Sequence, residues 1–295
     1  MTAPATITAV TGAPPTVLGE GPMWSAREQV LYWIDIVGRR LLRLRPADGR
    51  VDARELPYAP SAVIPRAAGG LLLVTKKGMA TLDFDRPGLD SVPAPLVDFS
   101  REVFNDAKCD AAGRIWVGTR DLHGAQPEGG LFRLDPDLSM SRHAQGLVVS
   151  NGLAWSPDGR TLYHVDTRPG RIDAYDFDVE RGTLAGRRTF LDYTGDAPAV
   201  PDGCTVDAEG GLWVAELDGW RLRRYAPDGS LDREIRLPVA KPTSVMFGGP
   251  DLATLYVTSM QFGLSEGELA EQPLAGALLA LDAGVRGLPE PVFGP

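Results

Sequence analysis

The sequence predicts an all-β protein, a six-bladed β-propeller, and three observations carry that prediction. One apolar sentence recurs six times: Leu31-Tyr32-Trp33-Ile34-Asp35, Leu71 to Thr75, Ile115-Trp116-Val117-Gly118-Thr119, Leu162 to Asp166, Leu212-Trp213-Val214-Ala215-Glu216 and Leu255 to Ser259. The first residues of these units lie 40, 44, 47, 50 and 43 positions apart, the period of a blade of about four strands. Each unit follows a Gly, Asp, Pro or Asn turn and a second short apolar run, so the two runs make a hairpin. Six units spread over 295 residues leave about 49 residues per blade, which accounts for the chain as one propeller domain over residues 1–295.

The preceding runs are Pro22-Met23-Trp24, Ala62-Val63-Ile64, Ala107-Lys108-Cys109, Gly152 to Trp155, Gly203 to Val206 and Val245-Met246-Phe247. In a propeller the first strand of each blade lines the central axis. Outer strands follow each unit at Leu41–Leu44, Gly130–Leu134, Ile172–Phe177, Leu222–Tyr225 and Ala277–Leu281, where apolar and polar residues alternate and one face is wet. Residues Gly263 to Leu274 break the pattern and read as an inserted loop with a helical turn.

Ten to twelve residues before each unit stands a polar residue: Glu20, Ser61, Asn105, Asn151, Asp202 and Thr243/Ser244. The repeat puts these at one end of the axis, far apart in sequence and close in space. Each taken alone reads as a turn or strand-end residue. Taken together, Glu20, Asn151 and Asp202 offer hard oxygen donors with a charge of about −2, which suits a divalent cation with room for water and substrate.

Composition narrows the partners. The net charge of −9, from 39 acidic and 30 basic residues, argues against nucleic acid and anionic membranes. The first twenty residues lack a basic start and an apolar block, and no apolar run is long enough to cross a bilayer, so a cytoplasmic location is expected. Cys109 and Cys204 fall on different inner strands and are expected to be buried free thiols. Only His123, His143 and His164 are present, without metal-ligand spacing on one element, and no P-loop, dinucleotide fingerprint or serine elbow occurs. His164 reads as a core histidine, and Asp35 and Asp166 as strand-end partners of backbone amides.

Leu18-Gly19-Glu20-Gly21-Pro22, Phe104-Asn105-Asp106-Ala107-Lys108, Ser150 to Ser156, Pro201-Asp202-Gly203 and Phe247-Gly248-Gly249 occur in order at blade spacing. Over about residues 15–280 the chain resembles the regucalcin/gluconolactonase/luciferin-regenerating-enzyme family, also called the senescence marker protein family. The resemblance implies one catalytic divalent cation (Ca, Zn, Mn, Mg or Fe(II)) on Glu20, Asn151 and Asp202. It implies Asp202 as the base that activates water, Asn105 as a substrate contact, and a small-molecule sugar lactone as substrate. Monomer and dimer both stay open. Two positions depart from the family pattern. Val103 stands where an Arg is usual two residues before Asn105, with Arg101 further back, and His123 stands where regucalcin has a glutamate, with Asp121 nearby. Both are candidate substrate-binding positions. A hydrolase of non-sugar lactones, aryl esters or phosphotriesters is the alternative function, and a non-catalytic metal-binding propeller a third.

Overall fold

Every apolar unit forms the second strand of a sheet, and the run before it forms the first. The computed structural model of the chain describes residues 6–294. Strand β1 (Ile7–Ala9) is discussed below. Blade one is β2 (Gly19–Ser25), β3 (Val30–Asp35), β4 (Arg40–Arg45) and β5 (Arg50–Glu55). Blade two is β6 (Pro60–Pro65), β7 (Leu71–Thr75), β8 (Gly78–Leu82) and β9 (Asp90–Val92). Blade three is β10 (Glu102–Cys109), β11 (Ile115–Asp121), β12 (Gly129–Leu134) and β13 (Met140–Leu147). Blade four is β14 (Ser150–Trp155), β15 (Thr161–Asp166), β16 (Arg171–Asp178) and β17 (Thr183–Asp192). Blade five is β18 (Val200–Val206), β19 (Leu212–Leu217), β20 (Arg221–Tyr225) and β21 (Leu231–Arg236). Blade six holds β22 (Pro242–Gly248), β23 (Thr254–Ser259) and β24 (Leu279–Asp282), and its outer strand is β1.

The predicted six antiparallel four-stranded blades are thus present. The sequence reading did not foresee that the N-terminal strand completes the last blade. Ile7, Thr8 and Ala9 pair with Leu281, Ala280 and Leu279, so the two ends of the chain close the ring. Three residues carry too little pattern to be read as a strand on their own. The inserted loop contains helix α1 (Glu266–Glu271), started by a capping box in which Ser265 and Glu268 satisfy each other's backbone amides.

Second strands are apolar throughout because both of their faces are covered, each by a neighbouring blade. Phe104, Ala107 and Ile115 of blade three pack with Ala62, Ile64 and Leu72 of blade two. Trp116 and Leu131 of blade three pack with Leu153, Leu162 and Phe177 of blade four. In blades three and five an aspartate at the first hairpin turn reaches the tryptophan of the second strand. Asp110 accepts from the backbone N–H of Ala112 and Arg114 and from Trp116 Nε1 at 2.9 Å, and Asp207 does the same for Glu209, Gly211 and Trp213 Nε1 at 2.7 Å. One carboxylate therefore closes the hairpin turn and orients the core tryptophan. Asp35 and Asp166 accept from backbone N–H groups at the blade entrances, as read from the sequence. Cys109 and Cys204 are buried and unbridged. No helix among the described residues is long and apolar enough to cross a membrane.

Candidate functional site

All six inner strands break register at one level. The shifts fall between Glu20 and Met23, Pro60 and Ala62, Phe104 and Ala107, Asn151 and Leu153, Pro201 and Cys204, and Pro242 and Ser244. A bulge adds a residue to one strand, bends it and re-aims its side chains. Here six bulges form a ring around the axis, and the predicted polar positions sit at them.

Hydrogen bonds connect the ring from blade to blade. Ser61 Oγ donates to the Phe104 carbonyl at 3.0 Å. Asn105 Nδ2 donates to the Ser150 carbonyl and to Asn151 Oδ1, both at 2.9 Å. Asn151 Nδ2 in turn donates to Asp202 Oδ1 at 2.5 Å and to Thr167 Oγ1 at 2.9 Å. Thr243 Oγ1 donates to the Gly19 carbonyl at 2.5 Å, beside Glu20. Two glycines make this closeness possible. A Cβ on Gly203 would lie 2.7 Å from Ser244 Cα, and one on Gly152 would lie 2.5 Å from the Asp202 carbonyl oxygen.

The structure brings together a third carboxylate that the sequence reading passed over. Asp106, on the bulge beside Asn105, adds its charge to those of Glu20 and Asp202. Burial, then Asp202, then Asp106 push the Glu20 carboxyl well above the usual carboxylate range. Burial, then Asp106 raise Asp202 likewise, and burial pushes Asp106 up to about 6. While Asp166 is held by backbone N–H groups, four other buried acids are matched by arginine: Asp35 by Arg40, Asp110 by Arg114, Asp207 by Arg224 and Glu216 by Arg221. Glu20, Asp106 and Asp202 have no such partner among the described residues. Glu20 accepts only from the Gly21 N–H at 3.0 Å, and Asp106 from the Ala107 N–H at 2.8 Å.

The remaining candidates take different places. Phe104 packs toward blade two, so its strand neighbours Val103 and Asn105 project toward blade four. Asn105 contacts Ser150 and Asn151 there, and Val103 is buried and stands opposite Arg120. His123 is exposed in the turn after β11, where Asp121 accepts from the N–H groups of His123, Ala125 and Gln126. Its ring makes no hydrogen bond among the described residues. Arg101 is exposed and pairs with Glu128 at 3.2 Å. His164 lies in the core, its Nε2 2.7 Å from Ser150 Oγ, and burial pulls it down to about 3, so it is neutral.

Among the described residues no three His, Cys, Asp or Glu side chains cluster at metal-ligand spacing. The donors at the ring are carboxylates mixed with amides, and their chemistry fits a hard divalent cation: oxygen atoms only, with three carboxylates that form no ion pair among the described residues and feel Lys76 and Lys108 only at a distance. The consequence is testable in chelator-stripped protein. Carboxylates whose folded pKa is raised stabilise the fold below the unfolded value near 4, and that stability is lost as pH rises through the folded value. The melting temperature of stripped protein is therefore expected to fall as pH rises above about 4 and through the Asp106 value of about 6, with Glu20 and Asp202 extending the fall in the same direction. Asp202→Asn, which removes one of the repelling charges and keeps an oxygen for Asn151, is expected to flatten that fall. A parallel pH dependence in both proteins would show that the ring carboxylates do not set it.

A cavity of about 20 Å³ lies along the axis, lined by residues of all six inner strands, including Asp106, Lys108, Cys204 and Ser244. Toward the far mouth, Lys108 pairs with Glu290 at 3.2 Å, and a cavity of about 390 Å³ opens between Trp155, Phe177 and the C-terminal segment. That larger cavity lies at the ends of the inner strands away from the carboxylates.

Comparison with known proteins places this geometry. The profile of the SMP-30/Gluconolactonase/LRE-like region matches residues 18–261. A 6-deoxy-6-sulfogluconolactonase of Pseudomonas putida is 40% identical over 283 residues, covering 95% of this chain and 96% of that protein. A pentonolactonase, XacC, of Haloferax volcanii is 35% identical over 277 residues, covering 92% and 93%. The crystal structure of a calcium-binding protein, regucalcin, from Agrobacterium tumefaciens str. C58 superposes with a TM-score of 0.93 at 27% identity, covering 99% of this chain and 98% of that one.

Proposed function

The chain belongs to the SMP-30/gluconolactonase/LRE-like family and is by that kinship a lactone-hydrolysing enzyme; on that premise we propose that it opens a sugar lactone at the bulge ring, with a divalent cation held by Glu20, Asn151 and Asp202. The observation that supports this most is a set of three carboxylates on the channel axis, Asp202 buried and Glu20 and Asp106 half-buried, none paired with an arginine among the described residues, whereas Asp35, Asp110, Asp207 and Glu216 each are. A bound divalent cation supplies a Lewis acid for the ester carbonyl and makes water a better nucleophile near neutral pH.

The chain's own residues supply position and proton transfer. Asn151 Nδ2 fixes one oxygen of Asp202 at 2.5 Å and leaves the other free. That free oxygen takes a proton as the water oxygen adds to the carbonyl carbon. The ring C–O bond then breaks, and the proton passes from Asp202 to the departing alkoxide oxygen. Burial raises Asp202 and so favours its taking the proton, and a cation held by it would favour giving the proton back. Asn105 holds Asn151 through its Nδ2, and its amide oxygen remains free to accept from a substrate hydroxyl.

Two measurements test the reading. Purified protein, chelated protein and chelated protein resupplied with Ca, Mn, Zn or Mg are assayed on gluconic, xylonic and arabinonic lactones, a non-sugar lactone, an aryl ester and a phosphotriester. Sugar-lactone hydrolysis is expected to vanish with the chelator and return with at least one cation. Hydrolysis that persists after complete metal removal sinks the cation's role, and activity confined to the phosphotriester or aryl ester replaces the substrate class. The cation should also raise the melting temperature of stripped protein, since a ligand at a hundredfold excess over its Kd adds about 2.7 kcal/mol.

A further inference from the structure

Above the carboxylates the channel mouth is positive. Lys76 directly follows β7, and its N–H donates to the Ala59 carbonyl at 3.0 Å, which sets it at the same end of blade two as Ser61. Arg120, near the end of β11, stands directly opposite Val103 and bridges Val149 of blade four. Cross-strand partners project from one face of a sheet, so Arg120 shares the side that carries Val103 and Asn105. Its guanidinium is anchored by one nitrogen: Nη1 donates to the carbonyls of Asp121 at 2.8 Å and Leu122 at 3.0 Å. Nε and Nη2 carry no protein partner among the described residues.

Neither cation pairs with a carboxylate among the described residues. Four other half-buried or buried cations do: Arg114 with Asp110, Arg224 with Asp207, Lys108 with Glu290 and Lys241 with Asp218. Lys76 lies close enough to both Arg120 and Glu20 to feel their charges: burial and then repulsion from Arg120 pull its ammonium down to about 7, against the attraction of Glu20. Positive charge held partly out of water is costly unless an anion meets it. A cation on Glu20, Asn151 and Asp202 would neutralise the ring carboxylates and leave Asp121 as the acid acting on Arg120, and that carboxylate is already held by the N–H groups of His123, Ala125 and Gln126.

We propose that Lys76 and Arg120 form an anion-recognition subsite beside the ring, and that the lactone this protein opens carries a negatively charged substituent, a phosphate or a sulfonate, away from its reacting carbonyl. This rests on the lactonase reading above and names its substrate class. Arg120 offers its free N–H groups to two oxygens of such an anion, and Lys76 adds a second charge-assisted hydrogen bond from the mouth end of blade two.

The test compares D-glucono-1,5-lactone with its 6-phospho and 6-deoxy-6-sulfo forms. Wild type is expected to show kcat/KM at least about tenfold higher on one or both charged lactones, the size of one hydrogen bond to a charged group. Arg120→Gln and Lys76→Gln are each expected to lower that charged-to-neutral ratio about tenfold, while Lys76→Arg keeps it. The two charged arms separate phosphate from sulfonate. A binding measurement stands apart from turnover: calorimetric titration with 6-phosphogluconate and with gluconate should show the charged acid binding about tenfold more tightly, a difference lost in Arg120→Gln. Equal handling of charged and neutral lactones by wild type overturns the proposal and leaves the lactonase reading intact. So does equal weakening of gluconate and 6-phosphogluconate in the variants, which would assign both cations to the common carboxylate. Tighter binding of the charged acid with no lactone hydrolysis would uphold the subsite and remove the lactonase reading.

Discussion

Asp202→Ala is expected to cost at least about a thousandfold in kcat/KM on the best sugar lactone, within the range for removal of a general base alone. The loss should be larger than for any substitution outside the ring, because Asp202 serves two proposed roles. It supplies one of the two charged oxygen donors for the cation, and it moves the proton. The companion variant Asp202→Asn keeps an oxygen where Asn151 Nδ2 donates at 2.5 Å, and so separates charge from shape. It should be as inactive as Asp202→Ala, yet fold with the Asn105–Asn151 chain of hydrogen bonds in place. Its chelator-stripped form should melt higher than stripped wild type at pH 8, where Glu20, Asp106 and Asp202 otherwise repel one another without a matched arginine. Turnover in Asp202→Asn within tenfold of wild type would remove Asp202 as the base. Unchanged affinity for the cation in both variants, measured by titration, would remove it as a ligand.

The parts of this architecture written in residue type and spacing were legible. Six apolar units at 40 to 50 residue intervals fix the blades, because a strand covered on both faces must be apolar throughout. The ring positions followed from counting back along the first strand of each hairpin. What escaped was set by backbone irregularity and by neighbours distant in sequence. Asp106 follows Asn105, and in a regular strand successive side chains point to opposite faces. The bulge between Phe104 and Ala107 cancels that alternation and brings both to the axis. Arg120 is seventeen positions from Val103 and becomes its partner only through the register of β10 with β11. Val103 stands where the resemblance implies an Arg, and the structure sets Arg120 opposite it in register. Arg101, two positions further back, is exposed and held by Glu128. Strand β1 carries no periodic signal, and its place is fixed only by pairing with β24 at the far end of the chain.

Gly152→Ala is expected to lower kcat/KM about a hundredfold, although the substitution adds one methyl group and touches no substrate. Gly152 sits on the β14 bulge with an ordinary negative or extended backbone conformation, so alanine meets no backbone penalty there. The obstacle is space. The new Cβ would lie 2.5 Å from the Asp202 carbonyl oxygen, 2.7 Å from Val165 Cγ2 and 2.9 Å from Cys204 Sγ. Valine and cysteine side chains can turn aside, but the carbonyl belongs to the backbone of the neighbouring inner strand. Strand β18 must therefore move away from the axis, and Asp202 moves with it. A shift of about 1 Å in a catalytic group is enough for a loss of that order, and overpacking should cost about 1–3 kcal/mol of stability as well. Gly195→Ala is the control, since a Cβ there has nothing within 4 Å and both activity and melting temperature should hold. The two effects of Gly152→Ala are separable by adding cation in excess. Stability lost to overpacking stays lost, while a ring merely widened should show weaker cation affinity by titration and partial recovery of turnover at saturation. If Gly152→Ala keeps full activity and affinity, the close approach of β14 and β18 does not position Asp202, and the bulge ring is a feature of the fold without a part in the chemistry.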